Sequence, residues 1–276
     1  MKLLVFFLSL MLPFAALANE EPFGDRLLGD AYGLNSYLAK SGIEATLDYQ
    51  GNIWFAEGSS RYVDLVQLRT TFNNEKLLGL KGNTVSIAAI ATNGASINNA
   101  SIDSLQGVDN IETVSGGIRL YEAWFEQSIA ELNLSILIGL RDLNVEFAAT
   151  PMSANFTVPT FQIGQAFAQS GTNGPSVYPT TSLAARVKYN PTENTFVSVG
   201  VFDGVPGDPA RTKGSAIRFG KDDGLLLVGE AGFTPTAESN EDEWDKISVG
   251  GWRYTSDQPD LASGLGKHQE GLYQSN

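Results

Sequence analysis

The stretch "IEATLDYQGNIWF" (Ile43–Phe55) alternates in chemistry from residue to residue. Its odd positions carry Ile43, Ala45, Leu47, Tyr49, Ile53 and Phe55, and its even positions Glu44, Thr46, Asp48, Gln50, Asn52 and Trp54. A period of two sends side chains to opposite faces of a β-strand, here one apolar and one polar. The pattern persists for about twelve residues. Globular strands average ~5–6 residues, whereas a tilted strand crossing a membrane needs ~9–11. The length suits the membrane strand.

Working outward, the same period recurs. Val66, Leu68, Thr70 and Phe72 alternate with Leu65, Gln67, Arg69 and Thr71, and Val85, Ile87 and Ala89 with Thr84, Ser86 and Ala88. "LNLSILIGLRD" (132–142) puts Leu132, Leu134, Ile136, Ile138 and Leu140 on one face, with Asn133, Ser135, Gly139 and Arg141 on the other. "LAARVKYN" (183–190) sets Leu183, Ala185, Val187 and Tyr189 against Arg186, Lys188 and Asn190. Segments 195–203, 225–233 and 246–255 are strand-like with less distinct faces. That makes about nine strands, joined by Gly-, Asn-, Pro- and Asp-rich turns. "NPTEN" (190–194) is tight, while 93–117 and 143–181 are extended. Short turns at one end and long loops at the other are the habit of outer-membrane barrels. A soluble β-sandwich also alternates, with shorter strands and more even loops.

Ahead of the strands, Leu34, Tyr37 and Leu38 share one face of a short helix that Asp30 is placed to cap and Gly42 to end. The connection 143–181 carries Phe147, Phe156, Phe161 and Phe167 and four prolines, with a short helix expected near 160–169. A connection so long and apolar reads as a segment folded against the inside of a wall rather than loose in water.

The first eighteen residues read as a secretory signal peptide: Lys2, the apolar run Leu3–Leu12, and the cleavage site Ala16-Leu17-Ala18. The mature protein is expected outside the cytoplasm. Losing Lys2 leaves 17 basic against 31 acidic residues, a net charge of about −14. Such a balance tells against nucleic acid. With no cysteine and His268 as the single histidine, a zinc site and a thiol nucleophile are excluded and a Ser-His triad is disfavoured. No cofactor is implied.

The segments "LYEAWFEQS" (120–128), "IGLRDLNVEF" (138–147), "YPTTSLAARVKYNPTENTFVSVGVFDG" (178–204), "DDGLLLVGEAGF" (222–233) and "ISVGGWRYT" (247–255) together resemble the carbohydrate-selective porin family, OprB type. "GDAYGLNSYLAKSGI" (29–43) and "NNEKLLGLKGNT" (73–84) resemble that family's opening segments, so the ordered match covers about residues 27–273. The resemblance implies an all-β fold: an antiparallel, sixteen-stranded transmembrane barrel of outer-membrane porin type that passes sugars down their gradient, narrowed by an inward loop. The chain ends at "HQEGLYQSN", where the family starts another strand, and without a terminal aromatic. The expectation is therefore a truncated member or fragment, with signal peptide 1–18, a periplasmic segment 19–42 carrying the short helix, and a partial barrel 43–276 whose constriction loop is 143–181.

If the apolar faces meet lipid, the polar faces line the pore. That expectation selects Gln67, Arg69, Glu122, Trp124, Glu126, Arg141, Arg186, Lys188 and Glu230 as substrate-binding or pore-lining residues. Charges of both signs around one cavity suit neutral polyols, because Arg donates a fork of hydrogen bonds to neighbouring hydroxyls. In "LYEAWFEQS", Tyr121, Ala123 and Phe125 are expected outward and Glu122, Trp124 and Glu126 inward. Trp124 then either stacks on a pyranose or packs against the inward loop. A catalytic role for the two Glu fails on distance: four residues of strand separate their Cα atoms by about 13–14 Å, while glycosidases place their carboxyls ~5–5.5 or ~6.5–9.5 Å apart.

The sequence thus points to a porin for mono- and oligosaccharides that is not an enzyme, with outer-membrane lipid and lipopolysaccharide around it and a monomer or homotrimer both open. A soluble periplasmic carbohydrate-binding β-protein and an outer-membrane glycoside hydrolase are the competing readings. The acidic run Glu238–Asp245 reads as a solvated turn, and His268 supports no mechanism.

Overall fold

The computed structural model describes residues 30–275, apart from 31–32, 57, 151–152, 154–155, 160–161, 209, 212, 218–219, 235–245 and 261. The expected signal peptide and the acidic run Glu238–Asp245 lie outside the described residues. Leu34–Lys40 forms helix α1. The Asp30 carboxylate supports its start by accepting from the Ser36 backbone N–H at 2.7 Å.

The strands follow in order: β1 (Ile43–Ala56), β2 (Ser59–Asn73), β3 (Asn83–Gly94), β4 (Gly117–Ile129), β5 (Leu134–Arg141), β6 (Ser182–Thr192), β7 (Thr195–Asp203), β8 (Leu225–Phe233) and β9 (Ile247–Tyr254). A two-residue pair, β10 (Gln258–Pro259) with β11 (Gly266–Lys267), precedes β12 (Glu270–Ser275). β1 to β9 and β12 build one ten-stranded sheet in which each strand pairs antiparallel with its neighbour in sequence, leaving β1 and β12 at the edges. One end of the sheet carries the long connections 95–116, 142–181, 204–224 and 255–269, and the other the tight turns 130–133 and 193–194. Three connections depart from that habit: β1 turns into β2 within two residues at the long-loop end, while the nine residues 74–82 join β2 to β3 and the 13 residues 234–246 join β8 to β9 at the other.

One face of the sheet is apolar and open. Leu47, Ile53 and Phe55 of β1 stand there at 72%, 63% and 79% exposure, and the row continues through Leu68, Ile87, Phe125, Ile138, Val187, Val199 and Val249 to Leu272 at 92%. Soluble monomers rarely expose a contiguous apolar patch beyond a few hundred Å², so this face calls for an apolar cover. No helix among the described residues is long and apolar enough to cross a membrane; the strands are the candidates for crossing.

The opposite face divides in two. Across β2 to β6 it carries charged side chains beside a small apolar cluster of Ala88, Ile90 and Tyr121. Across β7 to β9 it is apolar, because the 142–181 connection lies on it. Leu143, Phe147, Ile163 and Phe167 from this inner loop pack with Phe202, Leu226, Val228, Trp252 and Tyr254. Phe167 stacks on Trp252 with ring centroids 5.0 Å apart, and Phe147 meets Phe202 edge-on at 6.1 Å. Strands β7 to β9 are therefore apolar on both faces, the open one and the one beneath the loop, which is why their alternation is faint in the sequence. The 95–116 connection joins the same layer. Asn110 donates its backbone N–H to the Thr157 carbonyl at 2.7 Å, and Gln106 Nε2 donates to the Ile163 carbonyl at 2.6 Å. Asp109 fastens it to β1, accepting from Asn52 Nδ2 at 2.9 Å and from the Trp54 indole. Two loops thus bridge the concave side from β1 to β9.

Gly200 on β7 makes the room for Phe147: a Cβ there would stand 2.9 Å from its ring. Gly200→Val is expected to drive Phe147 out of the core and cost about 1–3 kcal/mol. The check is the thermal unfolding midpoint together with protease cutting within 142–181, and unchanged values for both would contradict this packing.

Candidate functional site

A β-bulge sets the chemistry of the polar face. Ala88 pairs with Glu122 but Ala89 pairs with Leu120, so Tyr121 is the extra residue of β4. The bulge breaks the period of two, and Tyr121 and Glu122 both turn inward. Tyr121, expected to face lipid, is instead 7% exposed and donates its hydroxyl to Asp142. Beyond the bulge Phe125 points outward, as its position predicts, and Glu126 inward.

Glu122 is fully buried and its carboxylate is saturated. Oε2 accepts from Arg69 at 2.6 Å, and Oε1 accepts from Arg141 at 2.9 Å and from the Asp142 backbone N–H at 3.2 Å. Arg141 reaches on to Glu146 at 2.7 Å. Arg186 meets Glu146 at 3.2 Å and Glu126 at 2.7 Å. The result is one chain of alternating sign, Arg69–Glu122–Arg141–Glu146–Arg186–Glu126, with three charges of each kind. Its middle is buried, whereas the side chains of Arg69 and Glu126 at its ends are 27% and 24% exposed. Those ends keep unused guanidinium N–H donors and carboxylate lone pairs on open space. Charge-assisted bonds of this kind are stronger than neutral ones, and pairing along the chain offsets the desolvation that each buried charge carries.

Of the remaining residues expected at the pore, Gln67 stands half-buried, two positions from Arg69 along β2. Lys188 is half-buried with Nζ 5.4 Å from the Phe196 ring, on the same face of β6 as Arg186. Trp124 carries Arg141 over its ring at 4.9 Å, so a cation already occupies one face of the indole. Glu230 lies away from this chain of charges, beneath the inner loop and paired with Lys246.

Sequence reasoning missed Glu146, Asp142 and Asp109, all on loops where no periodicity marks a face. Glu146 sits between two guanidiniums. Burial pushes its carboxyl up, but Arg141 and Arg186 prevail and hold it below its usual value. Asp142 is buried, which pushes its carboxyl up to about 6 against the opposing bond from Tyr121. It also accepts from the Asn144 and Tyr178 backbone N–H groups at 2.7 and 3.2 Å, tying both ends of the inner loop together. The available signal was the acidic pattern of "RDLNVEF" directly after an inward Arg.

One cavity adjoins the charge chain and a second lies apart from it. One of about 420 Å³, at the tight-turn end, is lined by Glu126, Asn133, Ser135, Glu146, Arg186 and Lys188 among others. Another of about 430 Å³, among the long loops, is lined by Arg119, Gln169, Asn173, Tyr178 and Thr180 among others. Both fall in the ~300–1,000 Å³ range of small-molecule sites. Among the described residues no cluster of His, Asp and Glu is placed to hold a metal ion.

Comparison with known proteins places this geometry. The chain is 26% identical over 228 residues to Porin B of Pseudomonas aeruginosa, a match covering 78% of this chain and 49% of that protein. It therefore spans about half the length of the curated relative it matches. The high-pH structure of Pseudomonas putida OprB is similar in fold, with a TM-score of 0.74 at 20% identity over 92% of this chain and 66% of that one. The low-pH structure of the same protein gives 0.53 at 19% identity, over 92% and 73%. Residues 57–276 match the model of the carbohydrate-selective porins, and on that match this chain belongs to the OprB family of carbohydrate-selective porins.

Proposed function

We propose that the chain lines a channel for passive diffusion of neutral mono- and oligosaccharides across the outer membrane of a Gram-negative cell. The observation that carries this is the alternating Arg–Glu chain on the inner face of a sheet whose other face is apolar. A neutral polyol offers donors and acceptors on adjacent carbons and exchanges bonds with Arg69 at one end and Glu126 at the other. An ion meets charges of both signs and gains little net attraction. The inner loop stands across this face and acts as the constriction. Membership of a porin family supports the outer-membrane location, and the lipid and lipopolysaccharide there would cover the apolar face.

The two competing readings lack such support. A soluble binding protein would leave the whole Leu47-to-Leu272 face in water. A hydrolase working through Glu122 would need a carboxylate in reach of substrate, and Glu122 is fully buried with both oxygens engaged.

Purified protein in planar bilayers is expected to conduct, with glucose or maltose blocking the current. Arg69→Gln, which removes one charge-assisted donor, should weaken that block about tenfold. Conduction that no sugar affects would contradict the proposal. Glu122→Gln should leave Arg141 underpaired and cost about 3–5 kcal/mol, read as a fall in the unfolding midpoint; an unchanged midpoint would show the junction to be dispensable. Because the Glu146 carboxyl is held below its usual 4.5, its clamp is present above that value and is lost as pH falls through the lowered one. Protease cutting within 142–181 should therefore show a step in acid below the ordinary carboxylate range, separate from any step that Asp142 contributes near 6, and Glu146→Gln should remove the acid step. An acid step that persists unchanged in Glu146→Gln would contradict the assignment.

A further inference from the structure

Away from the charge chain, a second carboxylate is buried under the inner loop. Glu230 on β8 lies opposite Gly250 on β9, which lies opposite Tyr273 on β12, so the three form one cross-strand row. A Cβ on Gly250 would stand 2.2 Å from the Tyr273 ring. With no side chain there, the ring crosses β9 and its hydroxyl donates to Glu230 Oε2 at 2.8 Å. The same oxygen accepts the backbone N–H of Ala148 at 2.8 Å. Lys246 Nζ lies 2.5 Å from Glu230 Oε1 and also donates to the Ala149 carbonyl at 2.8 Å. One ion pair thus grips two consecutive residues of the loop.

The gripped residue is unusual. Ala148 has φ of 53°, in the left-handed region that a residue with a Cβ rarely enters. A local preference does not keep it there, but bonds on both sides of it do. Two residues earlier is Glu146, held between Arg141 and Arg186. An extended residue spans only ~3.3–3.6 Å, so the linker between the two grips has almost no slack. Wherever Glu230 holds Ala148, Glu146 must follow.

We propose that Glu230, with Lys246 and Tyr273, is the positioning clasp that fixes the height of the inner loop over the charge chain and so sets the saccharide size admitted. This selectivity role rests on the porin reading; the clasp does not. None of the three touches sugar in this account. They act through Ala148 and Glu146.

The chain has no cysteine, so Val145→Cys, at a loop residue 56% exposed, takes a single nitroxide label without background. In reconstituted protein the label should be immobilised. Glu230→Gln should loosen it, and Tyr273→Phe should do so to a smaller degree while keeping the ring stacked on Phe167. In bilayers Glu230→Gln should raise the maltose concentration for half-block about tenfold, the worth of one charge-assisted bond. The double variant Glu230→Gln/Lys246→Gln, a neutral hydrogen-bonded pair, should restore both readouts; a merely supportive buried carboxylate predicts no such rescue. A label unmoved in both single variants would overturn the clasp. A loosened label with unchanged maltose block would overturn its role in selectivity. No maltose block in the unsubstituted protein would overturn the porin reading and the selectivity role together, while the label would still decide the clasp.

Discussion

The carboxylate of Glu122 has no contact with solvent, and the inward side of the sheet is arranged around it. A buried charge is tolerated only when its lone pairs are met. Here β2 supplies Arg69, β5 supplies Arg141, and the entry of the inner loop supplies the Asp142 N–H. Satisfying one group therefore fixes two strands and the direction in which the loop leaves the wall. Arg141, oriented by Glu122, is then placed to hold Glu146, and Glu146 to hold Arg186. The chain of charges extends outward from its buried middle to the exposed ends that face open space.

The wall also divides its labour. Strands β2 to β6 present charge to the concavity, and strands β7 to β9 present an aromatic and aliphatic floor on which the inner loop lies. A loop resting on such a floor gains from apolar burial and needs polar ties only where it must be aimed. Those ties are buried: Glu122 on β4 to the Asp142 N–H, Arg141 and Arg186 to Glu146, and Glu230 on β8 to the Ala148 N–H.

Much of this was legible in the sequence where one face of a strand is apolar and the other polar. Ile43–Phe55 and Leu134–Arg141 are such cases, and their strands fall where the alternation places them. Legibility failed where that physics changes. In β7 to β9 both faces are apolar, so no alternation distinguishes them. At Tyr121 a single extra residue reverses the pattern, and nothing in the local composition announces a bulge. Glu146 and Asp109 belong to loops, whose side chains take direction from tertiary contacts rather than from a period. For Glu230 the period indicates the inward face correctly but does not reveal the loop that covers it.

The account stands on the sheet having a lipid side and a water side. Nitroxides placed singly along β6 and β7 in the cysteine-free, membrane-reconstituted chain measure this directly, through collision with oxygen dissolved in lipid and with a nickel chelate dissolved in water. Positions Val187, Val197 and Val199 should favour oxygen, while Lys188 should favour the chelate. Equal access to the chelate at Val187 and Lys188 would mean that the apolar face meets water, and the channel reading would fail with it.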